Sequence, residues 1–251
     1  MEGVTVAPSG ASNGSPLDLG LRRDDEISTD MSSRLRVAVL ASGRGSNLQA
    51  LIAARDAGRL PVDFVLVGSD KASAGALQLA RDAGIPTFTL DPKAYASRRE
   101  FDFELLHRLD ASGAQLLVLA GFMRIIDGEA LRPWVGRIIN IHPSLLPKYR
   151  GLHTHRRALE AGDAEHGASV HYVTAELDGG PVIAQARLAI QPGDDEHSLA
   201  ERLLGHEHQL LPAVLQLIAD GRLALSPPDG VALDGLPRQQ PLQLRDGHLV
   251  D

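Results

Sequence analysis

A chain of 251 residues, 43% of them hydrophobic, carries enough apolar material for one large core or two small lobes. Its formal net charge of −7 argues against nucleic acid as a partner, and the absence of cysteine excludes disulfides, thiolate nucleophiles and cysteine-type zinc sites together. No apolar run approaches the roughly 18 residues of a membrane span, so a cytoplasmic location without a membrane partner is expected.

Residues 1–34 begin with a stretch rich in Gly, Ser, Pro and charge that lacks the basic start and apolar centre of a signal peptide. They read as a disordered extension. From Leu35 the pattern changes. RLRVAVL is a short β-branched run, ASGRGSN a glycine-rich turn, and an apolar repeat of helical period then runs to Gly58. VDFVLVGSD is the next strand, a helix covers Ala74–Ala83, IPTFTLD is again a strand, and SRREFDFELLHRLDASG an amphipathic helix. AQLLVLAGFMRII is continuous and apolar, as expected of a strand covered on both faces. After a short helical piece near Asp127–Arg132 comes the strand GRIINIH. Strands alternating with helices predict an α/β fold with a doubly wound, mostly parallel sheet.

Beyond Gly151 the texture shifts. HTHRRALEAG is a short helix, and ASVHYVTAELDGGPVIAQARLAI two strands joined through the turn residues LDGG. A long helix follows, with Leu199, Leu203, Leu204, Leu210, Leu211, Val214 and Leu217 on one broad face and Asp194 and Asp195 suited to its N-terminus. Residues 226–251 read as a tail of small strands with a frayed end.

Two features carry chemistry. The first is ASGRGSN, a glycine turn where the N–H groups of a helix start can hold an anion. Ser46 and Asn47 replace the third glycine of a dinucleotide fingerprint, and no Gly-Lys-Ser/Thr is present. The loop is either a tight βα turn or a monophosphate site built on Gly45, Ser46 and Asn47. The second feature is Asn-x-His at the end of GRIINIH. Residues two apart in a strand share a face, so Asn140 and His142 project together near the carboxyl end of a parallel strand, where α/β sheets bind ligands. Pro143 ends the pairing. The alternative is a pair of satisfied polar groups at a strand end, and a histidine by itself is read that way first. Asp178, on the glycine turn ELDGGP, adds a carboxylate that would raise the pKa of a neighbouring imidazole. Amide, protonated imidazole and carboxylate suit a developing oxyanion and proton transfer. No serine or cysteine nucleophile stands in a convincing setting, which leaves direct transfer to a substrate nucleophile.

The motifs ASGRGSNLQAL, LAGFMRII, NIHPSLLPKYRGLHTH, VTAELDGGPVIAQA and GHEHQLLP, in this order, resemble the phosphoribosylglycinamide formyltransferases, folate-dependent enzymes of purine synthesis. The resemblance spans about Leu35 to Leu225 and implies a Rossmann-like formyltransferase domain over residues 35–225, with a phosphate half and a folate half. It implies 10-formyltetrahydrofolate as formyl carrier and the amine of glycinamide ribonucleotide as acceptor. Asn140, His142 and Asp178 match the family's catalytic trio. Gly45, Ser46 and Asn47 match the phosphate loop, and Glu207 a carboxylate on the ribose. Arg98 matches an arginine near the folate's glutamate tail. Met123, Arg124, Ile125 and Ile126 match one wall of the pteridine pocket, with Val173 and Leu177 on the other and Asn140 between. Without the resemblance, the apolar members of that group read as ordinary core. No metal is expected, because none of the histidines has the His-Glu-x-x-His spacing of a helical zinc site. A homodimer is entertained as the assembly. Arg44, Arg150 and the first 34 residues receive no role.

Overall fold

The computed structural model describes residues 34–226 and 230–251. The extension expected over the first 34 residues lies almost wholly outside the described residues. From Leu35 the elements alternate: β1 (Leu35–Leu40), α1 (Ser46–Asp56), β2 (Val62–Ser69), α2 (Gly75–Asp82), β3 (Thr87–Thr89), α3 (Arg98–Ala111), β4 (Leu116–Leu119), α4 (Gly128–Leu131) and β5 (Ile138–His142). The second half holds α5 (Thr154–Glu160), β6 (Glu165–Tyr172), β7 (Val182–Ala189), α6 (Glu196–Ala219), β8 (Leu223–Ser226), β9 (Gly230–Leu233), β10 (Leu236–Arg238), β11 (Leu242–Arg245) and β12 (His248–Val250).

Nine strands form one sheet in the order β12-β11-β7-β6-β5-β4-β1-β2-β3. The β5-to-β3 half is all parallel, while β6 runs antiparallel to both β5 and β7. Burial on both faces explains the continuous apolar runs of β1 and β4. One face packs against α1, α2 and α6 through Leu48, Leu51, Ala76, Leu203 and Leu211. The other packs against α3 through Phe101, Leu105 and Leu109, with Trp134 closing the layer. Asp195 caps α6 by accepting from the Ser198 N–H while the Ser198 hydroxyl accepts from Asp195 N–H, a reciprocal box that fixes where the long helix begins.

Three segments depart from expectation. The run after Leu119 leaves the sheet: Gly121 takes φ +78°, and Met123 and Ile125 are 67% and 48% exposed. β6 and β7 are joined by the nine residues 173–181 rather than by a tight LDGG turn. The frayed end is instead the hairpin β11–β12, turned at Asp246-Gly247 with φ of +49° and +79°. Left-handed angles at both residues make the turn whose twist matches the flanking strands. The hairpin extends the main sheet by pairing β11 parallel to β7, and it buries Leu242 in the larger core.

Two stability measurements follow. Leu242→Ala should cost about 2–5 kcal/mol in urea unfolding, the range for a buried leucine; a loss near zero would mean that the hairpin does not contribute to the core. Burial, and then the neighbouring His155 imidazole, push His166 down to about 4, against 6.5 for the free side chain. Between those values the unfolded chain binds more protons than the folded one, so stability is complete above pH 6.5 and falls as pH drops toward 4. The parent should lose roughly 3 kcal/mol more than His166→Phe between about pH 7 and pH 4. Equal losses in parent and variant would show that His166 is not held neutral.

Candidate active site

The loop between β1 and α1 ends at Gly45, which takes φ +87°. A Cβ there would lie 2.7 Å from the Cα of Ala76 on α2, so only glycine fits. α1 starts at Ser46 with no side-chain cap and no acidic residue in its first turn. Its leading N–H groups therefore stand at the positive end of the helix dipole, suited to an anion. Asn47 is buried, and its Nδ2 donates to Glu207 Oε2 across 2.8 Å. Glu207 interrupts the apolar face of α6. Burial pushes its carboxyl upward, and the Asn47 amide opposes this. Two residues expected separately, one from the loop and one from the last helix, thus form a single hydrogen-bonded pair.

Asn140 and His142 alternate along β5 with buried Ile139 and Ile141. Because β6 runs antiparallel, Asn140 lies directly opposite His171, and their side chains meet with Nδ2 3.1 Å from Nε2. The His171 Nδ1–H donates to the Tyr172 carbonyl at 2.9 Å. In the neutral ring Nε2 must then accept from the Asn140 amide, which fixes that amide's orientation and leaves its second N–H available. His142 donates from Nε2 to the Tyr149 carbonyl at 3.0 Å, and its Nδ1 lies 3.5 Å from Asp178 Oδ2.

Asp178 sits in the 173–181 loop with φ +46°. Gly180 behind it passes so close to β6 that a Cβ would fall 2.0 Å from the Tyr172 carbonyl oxygen. The carboxylate accepts from the Gly151 N–H at 2.8 Å, and its other oxygen lies 3.6 Å from His171 Nε2. Burial works to raise its pKa, but contacts with His171, the Gly151 N–H and His142 outweigh it, so Asp178 stays ionised below the usual carboxylate range. His142 corrects the expectation that its carboxylate neighbour would raise it. Burial is the largest influence and lowers its pKa, outweighing the Tyr149 hydrogen bond and the Asp178 charge. The resting imidazole is therefore biased to neutral, beside an ionised carboxylate.

These groups open onto a cleft of about 480 Å³. Asn47, Glu207, Asn140, His142, His171 and Asp178 all border it, as do Met123 to Ile126, Val173 and Leu177. Met123, Ile125 and Leu177 are exposed to the cleft rather than packed in the core, whereas Ile126 is buried. Arg124 stacks its guanidinium 4.8 Å from the centre of the Phe101 ring. Gly45 and Ser46 lie just behind Asn47, outside the cleft lining. Arg98 does not border the cleft either; it opens α3 with Nε 3.9 Å from the buried Asp102.

Several participants were missed in the sequence. Ser42 Oγ donates to Asp70 at 2.6 Å and accepts from the Met123 N–H at 3.1 Å, pinning one wall of the cleft to the ends of β1 and β2. His171 stands behind both Asn140 and Asp178; its position opposite Asn140 was readable only once the β5–β6 register is known. The Tyr149 carbonyl and Gly151 N–H carry no side-chain signal at all. Arg150, between them, pairs with Glu176. Among the described residues, no three His, Asp or Glu side chains converge as a metal site.

The formyl transferase family matches residues 35–215. The chain is 48% identical to the phosphoribosylglycinamide formyltransferase of Escherichia coli (strain K12), covering 80% of this chain and 100% of that protein. It is equally 48% identical to the trifunctional purine biosynthetic protein adenosine-3 of Drosophila melanogaster, but spans only 14% of it. Among solved structures, the phosphoribosylglycinamide formyltransferase of Coxiella burnetii superposes with a TM-score of 0.78 at 47% identity, covering 81% of this chain and 95% of that one. That likeness extends to the mostly parallel sheet, the antiparallel strands beyond it and the long helix. With nearly the whole folded part matched at this identity, the chain belongs to the formyl transferase family, among its phosphoribosylglycinamide formyltransferases.

Proposed function

We propose that the cleft transfers the formyl group of 10-formyltetrahydrofolate to the primary amine of glycinamide ribonucleotide, a cytoplasmic step of purine synthesis that takes small molecules and no nucleic acid. The observation that carries this reading is the convergence of Asn140, His142 and Asp178 on a cleft that also reaches Asn47 and Glu207 and has an exposed apolar wall. An uncapped helix start suits a ribose phosphate held by Gly45, Ser46 and Asn47. Glu207, fixed by Asn47, suits the ribose. Met123, Ile125, Ile126, Val173 and Leu177 offer apolar surface for a flat pteridine ring, with Arg124 beside them, and Arg98 is assigned to the glutamate tail.

In the reaction, the amine nitrogen attacks the formyl carbon and the carbonyl oxygen becomes negative. The free N–H of Asn140 stabilises that charge, and His142 adds to it once its Nδ1 carries a proton. As the new C–N bond forms, the amine sheds a proton toward Asp178, directly or through water, and His142 Nδ1 beside it is charged transiently. The lowered pKa of His142 suits this role, because a weakly held proton is readily returned. It passes to N10 of the folate as the C–N10 bond breaks, so formylated amide and tetrahydrofolate leave with atoms and charge balanced. His142 is buried and Asn140 and Asp178 are part-buried, which limits the access of competing water to them.

Asp178→Asn should lower kcat by about 100-fold or more while folate binding stays nearly intact, since general acid–base groups contribute on that scale; normal turnover would remove Asp178 from the mechanism. Asn47→Ala should raise KM for the phosphorylated acceptor about tenfold, the worth of one hydrogen bond to a charged group. An unchanged KM would dismiss a role for the Asn47–Glu207 pair in holding the acceptor. Formyl-transfer assays comparing glycinamide ribonucleotide, charged tRNA and water as acceptors test the reading as a whole, with turnover expected on the first.

A further inference from the structure

Two loops face each other across the trio. Residues 148–152 follow β5, and residues 173–181 join β6 to β7. Each supplies part of the polar geometry: the first gives the Tyr149 carbonyl to His142 and the Gly151 N–H to Asp178, and the second carries Asp178 itself. Sheet-type pairing holds only the ends of the second loop, where the Val173 N–H donates to the Ile138 carbonyl and the Tyr172 N–H to the Pro181 carbonyl. Tyr149, Gly151 and Asp178 all adopt left-handed backbone angles, with φ of +55°, +79° and +46°. The first loop is well anchored on its far side. Asp163 accepts from Lys148 Nζ at 3.0 Å and from the Tyr149 hydroxyl at 2.8 Å, and Arg157 on α5 donates to the Arg150 carbonyl at 2.7 Å. Toward the second loop, the hydrogen bonds and ion pairs among the described residues are two: Gly151 N–H to Asp178, and Arg150 to Glu176.

Arg150 lies between the two backbone groups that orient His142 and Asp178, and Glu176 is two residues before Asp178. We propose that the Arg150–Glu176 ion pair is a positioning clasp that fixes the spacing of the two loops, and through it the approach of His142 to Asp178. Neither residue touches the reacting atoms. The inference rests on the assignment of Asn140, His142 and Asp178 as the catalytic trio. The bland reading is an exposed ion pair, 38% and 64% accessible at its two side chains, which contributes little to folding. The two readings separate because displacement of a catalytic group by a fraction of an ångström costs rate without costing stability.

The test compares Arg150→Gln, Glu176→Gln and the charge-swapped double variant (Arg150→Glu with Glu176→Arg) with the parent and with Asp178→Asn, by steady-state kinetics and thermal melting. Each single neutral variant should lower kcat about tenfold, or 1.4 kcal/mol, while KM for the phosphorylated acceptor, bound at α1, stays within about twofold. Melting should stay within a few degrees of the parent, and the swap should recover most of the lost rate. Near-parental kcat in either single variant overturns the clasp, as does a swap no better than the singles or a loss of rate matched by a loss of stability. Asp178→Asn separates the two levels. If it turns over normally, the trio reading itself has failed; if it collapses while the Arg150 and Glu176 variants do not, only the clasp has.

Discussion

The site depends on one reversal of strand direction. β6 runs back along β5, which sets His171 opposite Asn140 and starts the loop after β6 beside Ile138, at the entry end of β5, from which it returns to bring Asp178 to His142. The parallel half of the sheet supplies the anion-suited loop at the end of β1, and the antiparallel half supplies the carboxylate. The cleft lies where these two patterns of connection meet.

Electrostatics at that junction are balanced rather than strong. Two imidazoles, His142 and His171, stand 3.5 and 3.6 Å from the Asp178 carboxylate, yet that carboxylate is stabilised partly by a neutral backbone N–H. Burial sets the sign at His142, where the attraction of one carboxylate is the smaller influence. A resting neutral imidazole avoids a permanently buried cation, which would be costly to desolvate, and keeps the ring ready to hold a proton for a short time.

The legibility of the sequence differs by kind of feature. Strands β1, β2 and β5 and the helices α1, α3 and α6 announce themselves through apolar period and caps, because burial on a face is a local pattern. Asn140 and His142 on one face follow from the same period. The run LAGFMRII misleads, since methionine and isoleucine lining an open cleft look the same in sequence as methionine and isoleucine in a core. The Asp246-Gly247 turn was overlooked although that dipeptide is a strong hairpin signal. Register and depth are not local: the pairing of Asn140 with His171, the meeting of Asn47 with Glu207, and the sign of the His142 shift each depend on residues far away in the chain.

Gly45 presses against Ala76 so closely that neither has room for another carbon, and Ala76 is wholly buried on α2. Position 76 touches no part of the cleft, yet its size governs how near the two helix starts can come. A valine there would push on the turn that opens α1, redirecting its N–H groups at a distance from any ligand. The anion site is thereby gauged from outside by a methyl group, and a small residue at position 76 is as much a condition of that loop as the glycine itself.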